Sequence, residues 1–268
     1  MTKFAPGVLA WADSLYNGEN LTYATDLKLP LQNWFYMLVL LAAYLSLVFF
    51  IRVVMVPFKE FSLKGPAIVY NVFMTLLSAY MAIEAFTQAT KLGYNWFGNY
   101  SQRSPAEHAL ARVIWVFYFS KHIEGIDTLF IVLRKRNRQL SFLHLYHHTS
   151  ITMIWHLIFR CYPAGEAYYS VVANSFIHVI MYGYYACTLL KINVKPFKFF
   201  ITYGQLAQFL SMLSQAVYDL YILNVTEARW LLELLLGYMF TMLATFGHFL
   251  YYEKKRIAAL KKNKKKSA

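Results

Sequence analysis

Residues 34–56 read WFYMLVLLAAYLSLVFFIRVVMV, 23 positions carrying one charge, Arg52. As an α-helix this run is about 35 Å long, enough to cross a bilayer core of about 30 Å. Working outward, six further stretches have the same character, some with polar residues inside them. They are Ala67–Ala89, Leu110–Leu133, Ser141–Tyr162, Ala167–Leu190, Phe199–Leu223 and Trp230–Tyr252. Pro57, Pro66, Pro105, Pro163 and Pro196 all fall in the connections, where a missing N–H does least harm. The pattern predicts an all-α polytopic membrane protein with seven transmembrane helices. Residues 34–253 form its membrane domain, 1–33 a lumenal N-terminal segment without the apolar core of a secretory signal, and 254–268 a basic cytosolic tail.

Composition agrees. The chain is 59% apolar and 15% charged, against about 45–50% and about 25% in a soluble domain. That excludes disorder, a coiled coil and an ordinary soluble enzyme. Cys161 and Cys187 make neither a disulfide framework nor a metal-binding CxxC. A net charge of +13 is in the range of nucleic-acid-binding proteins, but 8 of the 26 basic residues lie between Lys254 and Lys266, on the flank of a hydrophobic helix. A cationic cytosolic flank accounts for them, and nucleic acid is not an expected partner.

Orientation follows from the basic residues. With seven spans, 18 of them fall on the side of the C-terminal tail and 7 on the side of the N-terminus, Lys121 lying within a helix. The excess marks the cytosol, so the N-terminus is expected in the lumen. Three glycosylation sequons, at Asn20, Asn99 and Asn224, all fall on the lumenal side of this arrangement. Lys265 and Lys266 stand fourth and third from the C-terminus, the pattern of a retrieval address for the endoplasmic reticulum.

Ionisable side chains inside spanning helices are costly and mark function. The third stretch carries Lys121, Glu124, Asp127 and Thr128 within an arc of about 120°. Taken alone, Lys121 and Glu124 fit a self-neutralising pair just as well. The fourth opens with His144, His147 and His148 within about 100°, so three imidazoles can face one cavity. The fifth places Asn174, His178, Tyr182 and Tyr185 on one face. The sixth places Thr202, Gln205 and Gln208 at i, i+3 and i+6, a spacing that also serves to glue helices together. Counted along the helices, the box histidines, Asp127, Thr128, Thr202 and Gln205 lie toward the cytosol and His178 near mid-membrane, above mostly Leu, Ile, Phe, Met and Val. A polar chamber over an apolar slot suits a charged, water-soluble head joined to an acyl tail.

Four segments, in order, resemble motifs of the ELO fatty-acid elongases. Lys121–Thr128 is similar to KxxExxDT, Gln139–His148 to the QxSFLHxYHH histidine box, Asn174–Tyr185 to NxxxHxxMYxYY and Thr202–Phe209 to TxxQxxQF. The ending Phe246–Tyr252 matches the family only loosely. The resemblance implies a very-long-chain 3-oxoacyl-CoA synthase that condenses acyl-CoA with malonyl-CoA, releasing CoA and CO2. It also implies six of the seven helices forming a barrel around an acyl-chain tunnel. By the same resemblance His147 is the nucleophile that carries the acyl group, and His178 faces the malonyl unit. His144, His148, Gln205 and Asn174 orient rings or donate hydrogen bonds, and Lys121, placed by Glu124, holds a CoA or malonyl oxygen. Arg134 and Arg136, with Lys135 and Arg138, are candidates for CoA phosphates or for anchoring orientation.

CoA thioesters are then substrates, and no cofactor or metal is expected. Other enzymes of the elongation cycle and a second copy of the chain are the expected protein partners. Leu145 stands where the family's Trp accompanies saturated and monounsaturated primers, and so leans toward polyunsaturated ones. Phe159, Tyr169, Tyr218 and Leu235 have the depth to form a tunnel floor. Two other readings share part of the pattern. The box His144-x-x-His147-His148 resembles one of those in membrane di-iron desaturases and hydroxylases, but such iron sites need about eight ligating histidines. This chain has eight in all and forms one box. A seven-helix transporter or receptor shares the topology alone.

Overall fold

A computed structural model describes residues 27–226 and 228–266. The Asn20 sequon, residues 1–26 of the N-terminal segment, and Ser267 and Ala268 lie outside the described residues. Among those described, α1 spans Trp34–Val54, α2 Lys64–Lys91, α3 His108–Glu124 and α4 Ile126–Leu133. They are followed by α5 at Phe142–Cys161, α6 at Ala167–Leu189, α7 at Lys198–Val217 and α8 at Arg229–Lys266. Short 3₁₀ turns occupy Pro105–Glu107 and Lys195–Phe197, and a π turn, Tyr218–Ile222, extends α7. No strand is present among the described residues.

Local chemistry sets these boundaries. The Asn33 side chain accepts from the Phe35 N–H at 2.8 Å and starts α1. Ser141 Oγ accepts from the His144 N–H at 3.2 Å and starts α5, so all three box histidines sit in its first two turns. The third predicted span is divided at Gly125. There Gly125 N–H bonds His122 O and Thr128 N–H bonds Gly125 O, both at 3.2 Å, a local i,i+3 tightening of the helix. Beyond Tyr252 the expected end of the last span is overrun, and α8 continues to Lys266. Ala, Leu, Lys and Glu are strong helix formers, and neither Gly nor Pro interrupts them.

The burial pattern is that of a multi-pass membrane protein. Large apolar side chains face outward, among them Val53 at 70%, Val69 at 71% and Phe200 at 71% exposure, while Lys121, Glu124, Thr128 and His178 are buried. Water would penalise such an outer surface, and lipid tails cover it. Among the described residues, three helices are long and apolar enough to cross a membrane by length and composition: α1, α2 and Arg229–Leu260 of α8. The rods between them carry the polar residues that lower their hydropathy.

Packing runs from neighbour to neighbour. α2 lies against α3 and α6, α6 against α7, α7 against α8, α8 against α5, and α5 against α3. α1 stands aside on α4 and α5. An apolar cluster at the α2–α3–α5–α6 junction contains Phe117, Tyr118, Trp155 and Phe159. A second, of Phe209, Met212, Tyr238, Met239 and Met242, joins α7 to α8.

Candidate active site

Glu124, near the end of α3, is the hub of the polar interior. Its Oε1 accepts from Lys121 Nζ at 2.6 Å and lies 3.4 Å from His178 Nδ1 on α6. Lys121 Nζ also donates to Asn174 Oδ1 at 3.1 Å, and sits 4.0 Å from the centre of the Phe117 ring. Four of the residues expected in the site therefore meet around one carboxylate and one ammonium. A buried pair of this kind is tolerable only when its remaining hydrogen-bonding capacity is met; Asn174 meets part of it, and His178 Nδ1 lies beside the carboxylate without a hydrogen bond.

The tightening at Gly125 starts a second group in α4. Asp127 Oδ2 accepts from the Tyr182 hydroxyl at 2.8 Å. Thr128 Oγ1 lies 2.7 Å from both His144 Nε2 and the Tyr44 hydroxyl of α1. A Cβ on Gly125 would come within 3.3 Å of the Tyr44 ring, so the glycine gives α1 its close approach. His144 lies beside His148, the rings tilted and their centres 4.4 Å apart, and the His148 ring centre is 5.7 Å from that of His147. His147 Nδ1 is 3.3 Å from the hydroxyl of Tyr238 on α8.

Other expected residues stand apart from this constellation. Gln205 turns to Met181 Sδ at 3.7 Å and Gln208 to Met212 Sδ at 3.4 Å, while Thr202 bonds its own helix at Lys198 O. Tyr185 is exposed, its ring edge-on to that of Tyr182. Arg134 and Arg136 lie in the connection from α4 to α5, Arg136 exposed. Among the described residues, no group of three or more His, Cys, Asp or Glu is arranged to hold a metal ion.

Below His147 a partly open, mostly apolar pocket runs between α5 and α8. Tyr238 and Ile151 line its upper part, Ile154, Ile158 and Leu235 its sides, and Tyr162, Glu166, Asn99 and Val225 its far end. Of the four expected floor residues only Leu235 lines it. Phe159 stacks on Tyr118, and Tyr169 and Tyr218 both pack on Phe97. Depth along a helix fixes height but not the direction a side chain points.

The far end is closed by hydrogen bonds. Glu166 accepts from the Asn99 backbone N–H, from Asn99 Nδ2 at 3.0 Å and from Gln215 Nε2. Glu107 accepts from Tyr94 and, at 2.9 Å, from Ser101. Burial, with the Glu107 carboxylate beside it, pushes the pKa of the Tyr94 phenol up, so it remains a donor. Asn99 is 7% exposed, and its Nδ2, the atom a glycan would occupy, is also given to Asn95 O at 2.8 Å. The Asn99 sequon is sealed inside the fold, whereas Asn224 is exposed.

Sequence reasoning missed Tyr44, Tyr162, Glu166 and Tyr238. A tyrosine in an apolar run reads as packing, and the chain has 22 of them. One signal was present for Glu166, the acid in the connection between the fourth and fifth stretches.

Similarity to known proteins bears on this site. The profile of the family described as "ELO: GNS1/SUR4 family" matches residues 29–267. A "Fatty acid elongase 6" of Leishmania major is 39% identical over 237 residues, covering 85% of this chain and 62% of the relative. A "Very long chain fatty acid elongase 5" of Bos taurus is 36% identical, covering 77% and 71%, and its Homo sapiens counterpart 37%, covering 71% and 64%. The chain thus spans about two thirds of the length of these relatives.

Proposed function

The chain belongs to the ELO family of fatty-acid elongases, and on that premise we propose that it joins an acyl-CoA to malonyl-CoA, giving a 3-oxoacyl-CoA, CO2 and CoA. One observation carries the reading. The imidazole of His147 touches the hydroxyl of Tyr238, which itself lines an apolar cavity, so a nucleophile stands at the head of a slot shaped for an acyl chain. His147 attacks the thioester carbonyl and CoA leaves as the thiol. Malonyl-CoA loses CO2, its enolate carbon attacks the acyl-imidazole, and His147 is released. Splitting the condensation in this way replaces one difficult step by two easier ones. His178 and Asn174, held by Glu124 and Lys121, are placed to meet the charge that develops on the malonyl oxygen.

The packing order α2–α3–α5–α8–α7–α6 returns to α2 and supports a six-helix barrel, with α1 outside it and seven spans in all. The N-terminus is lumenal, the C-terminus cytosolic and the membrane that of the endoplasmic reticulum. The Arg134–Arg138 connection then faces the cytosol, where it receives CoA phosphates, and Asn20 and Asn224 remain as glycosylation sites. Primers are polyunsaturated, following Leu145, and other enzymes of the elongation cycle and a second copy of the chain are the protein partners. Purified protein given labelled malonyl-CoA and a primer panel tests the reaction. Two-carbon-extended 3-oxoacyl products are expected, and no extended product from any primer contradicts it.

A further inference from the structure

The hydroxyl of Tyr238 has a neighbourhood that packing alone does not explain. Tyr238 is 7% exposed and belongs to the α7–α8 apolar cluster, yet its oxygen is turned to α5. It lies 3.3 Å from His147 Nδ1 and 3.1 Å from Ser150 Oγ. Ser150 is one turn below His147 and lies between the Tyr146 carbonyl, at 2.6 Å, and this phenol. On the same helix Tyr146 binds Thr241 at 2.7 Å, so a second α5–α8 contact fixes the register that brings the phenol to the imidazole.

We propose that Tyr238 is the positioning residue for His147, holding its ring and its tautomer so that Nε2 receives the acyl group. The inference rests on the acyl-histidine reading above. A neutral imidazole has one N–H and one lone pair, and the bond at one nitrogen decides which nitrogen carries which. Nδ1 is occupied by Tyr238. Acyl transfer then goes through Nε2, which must keep its lone pair, so Nδ1 carries the proton and donates it to the Tyr238 oxygen. Nε2 attacks the thioester carbonyl, its C–S bond breaks, and the thiolate takes up the proton that the acylated ring releases from Nδ1, so CoA leaves as the thiol. A ring without that partner also populates the tautomer with hydrogen on Nε2, which cannot attack. Because Tyr238 also lines the acyl cavity, the ring that aims the nucleophile also shapes the slot where the substrate's first carbons lie.

The test is single-turnover loading of full-length protein with radiolabelled acyl-CoA and no malonyl-CoA, alongside steady-state kinetics and product analysis. Tyr238→Phe keeps the ring and the cavity wall and removes only the hydroxyl. Loading is expected to slow about tenfold or more, the scale on which a group that orients a histidine acts. KM for acyl-CoA and the length of the product are expected to stay unchanged. Loading at the wild-type rate, with His147→Ala inactive, overturns the role of Tyr238 and leaves the acyl-histidine standing. Normal loading in His147→Ala overturns the acyl-histidine itself. A raised KM or altered product length without slower loading makes Tyr238 a wall residue only, which also overturns the proposal. If Tyr238→Phe does not fold, Ser150→Ala replaces it, with loading lowered about threefold, the worth of one neutral hydrogen bond. Unchanged loading there counts against the proposal.

Discussion

Lys121 and Glu124 are each almost wholly removed from solvent, and each is the other's main compensation. Glu124→Ala therefore leaves an uncompensated ammonium inside the protein and is expected to cost about 3–5 kcal/mol of stability, seen as a lower unfolding temperature in detergent. The double variant Lys121→Met/Glu124→Met removes both charges, and should recover much of that stability while remaining inactive. Recovered activity in the double variant would make the pair purely structural. The three histidines of α5 differ in their partners, and so in their consequences. His144 is held by Thr128 and His147 by Tyr238. The spacing His144-x-x-His147-His148 announced a shared face in the sequence, because i, i+3 and i+4 coincide on a helix. The partners were not legible, since Tyr44 and Tyr238 come from apolar stretches whose periodicity shows no preferred polar face.

At the scale of elements, the walls and floor of the slot come from α5, α6, α7, α8 and the connections at their ends. Leu235→Ala enlarges the cavity and is expected to lengthen the product by two carbons, each buried methylene adding about 0.8 kcal/mol. Phe159 faces the α3–α5 core instead, so Phe159→Ala should leave product length alone and lower stability by about 3–5 kcal/mol. A primer series with gas chromatography of the products separates the two. Gly165 secures the far end. Its φ is +58°, and an added Cβ would meet Asn99 O at 2.9 Å and Ser101 N at 3.0 Å. Gly165→Ala is expected to cost at least about 1–2 kcal/mol from the left-handed backbone alone, read as a drop in unfolding temperature. No change would mean that the connection rearranges freely. The approximate positions of the long helices were legible from hydrophobic length. The break at Gly125 was not, because a single glycine in an apolar run reads as ordinary helix.

For the molecule as a whole, an apolar exterior around a charged interior reverses the usual soluble arrangement, and both halves were visible in composition and in misplaced polar residues. What the sequence could not show is which end of a helix closes. The Asn99 sequon reads as a glycan site from its motif and its place on the lumenal side, yet its loop folds inward onto Glu166. Mapping with Asn→Gln variants and a glycosidase should find Asn99 unmodified, and a mobility shift lost in Asn99→Gln would show that the loop opens. The central claim is that an acyl group passes through His147 on its way to the malonyl carbon. Intact-mass and peptide mass spectrometry after incubation with acyl-CoA alone tests it most directly. The account predicts a hydroxylamine-sensitive acyl adduct on the His147 peptide that disappears on adding malonyl-CoA as 3-oxoacyl-CoA forms. Wild-type turnover with no adduct on His147, and unaltered in His147→Ala, would contradict it.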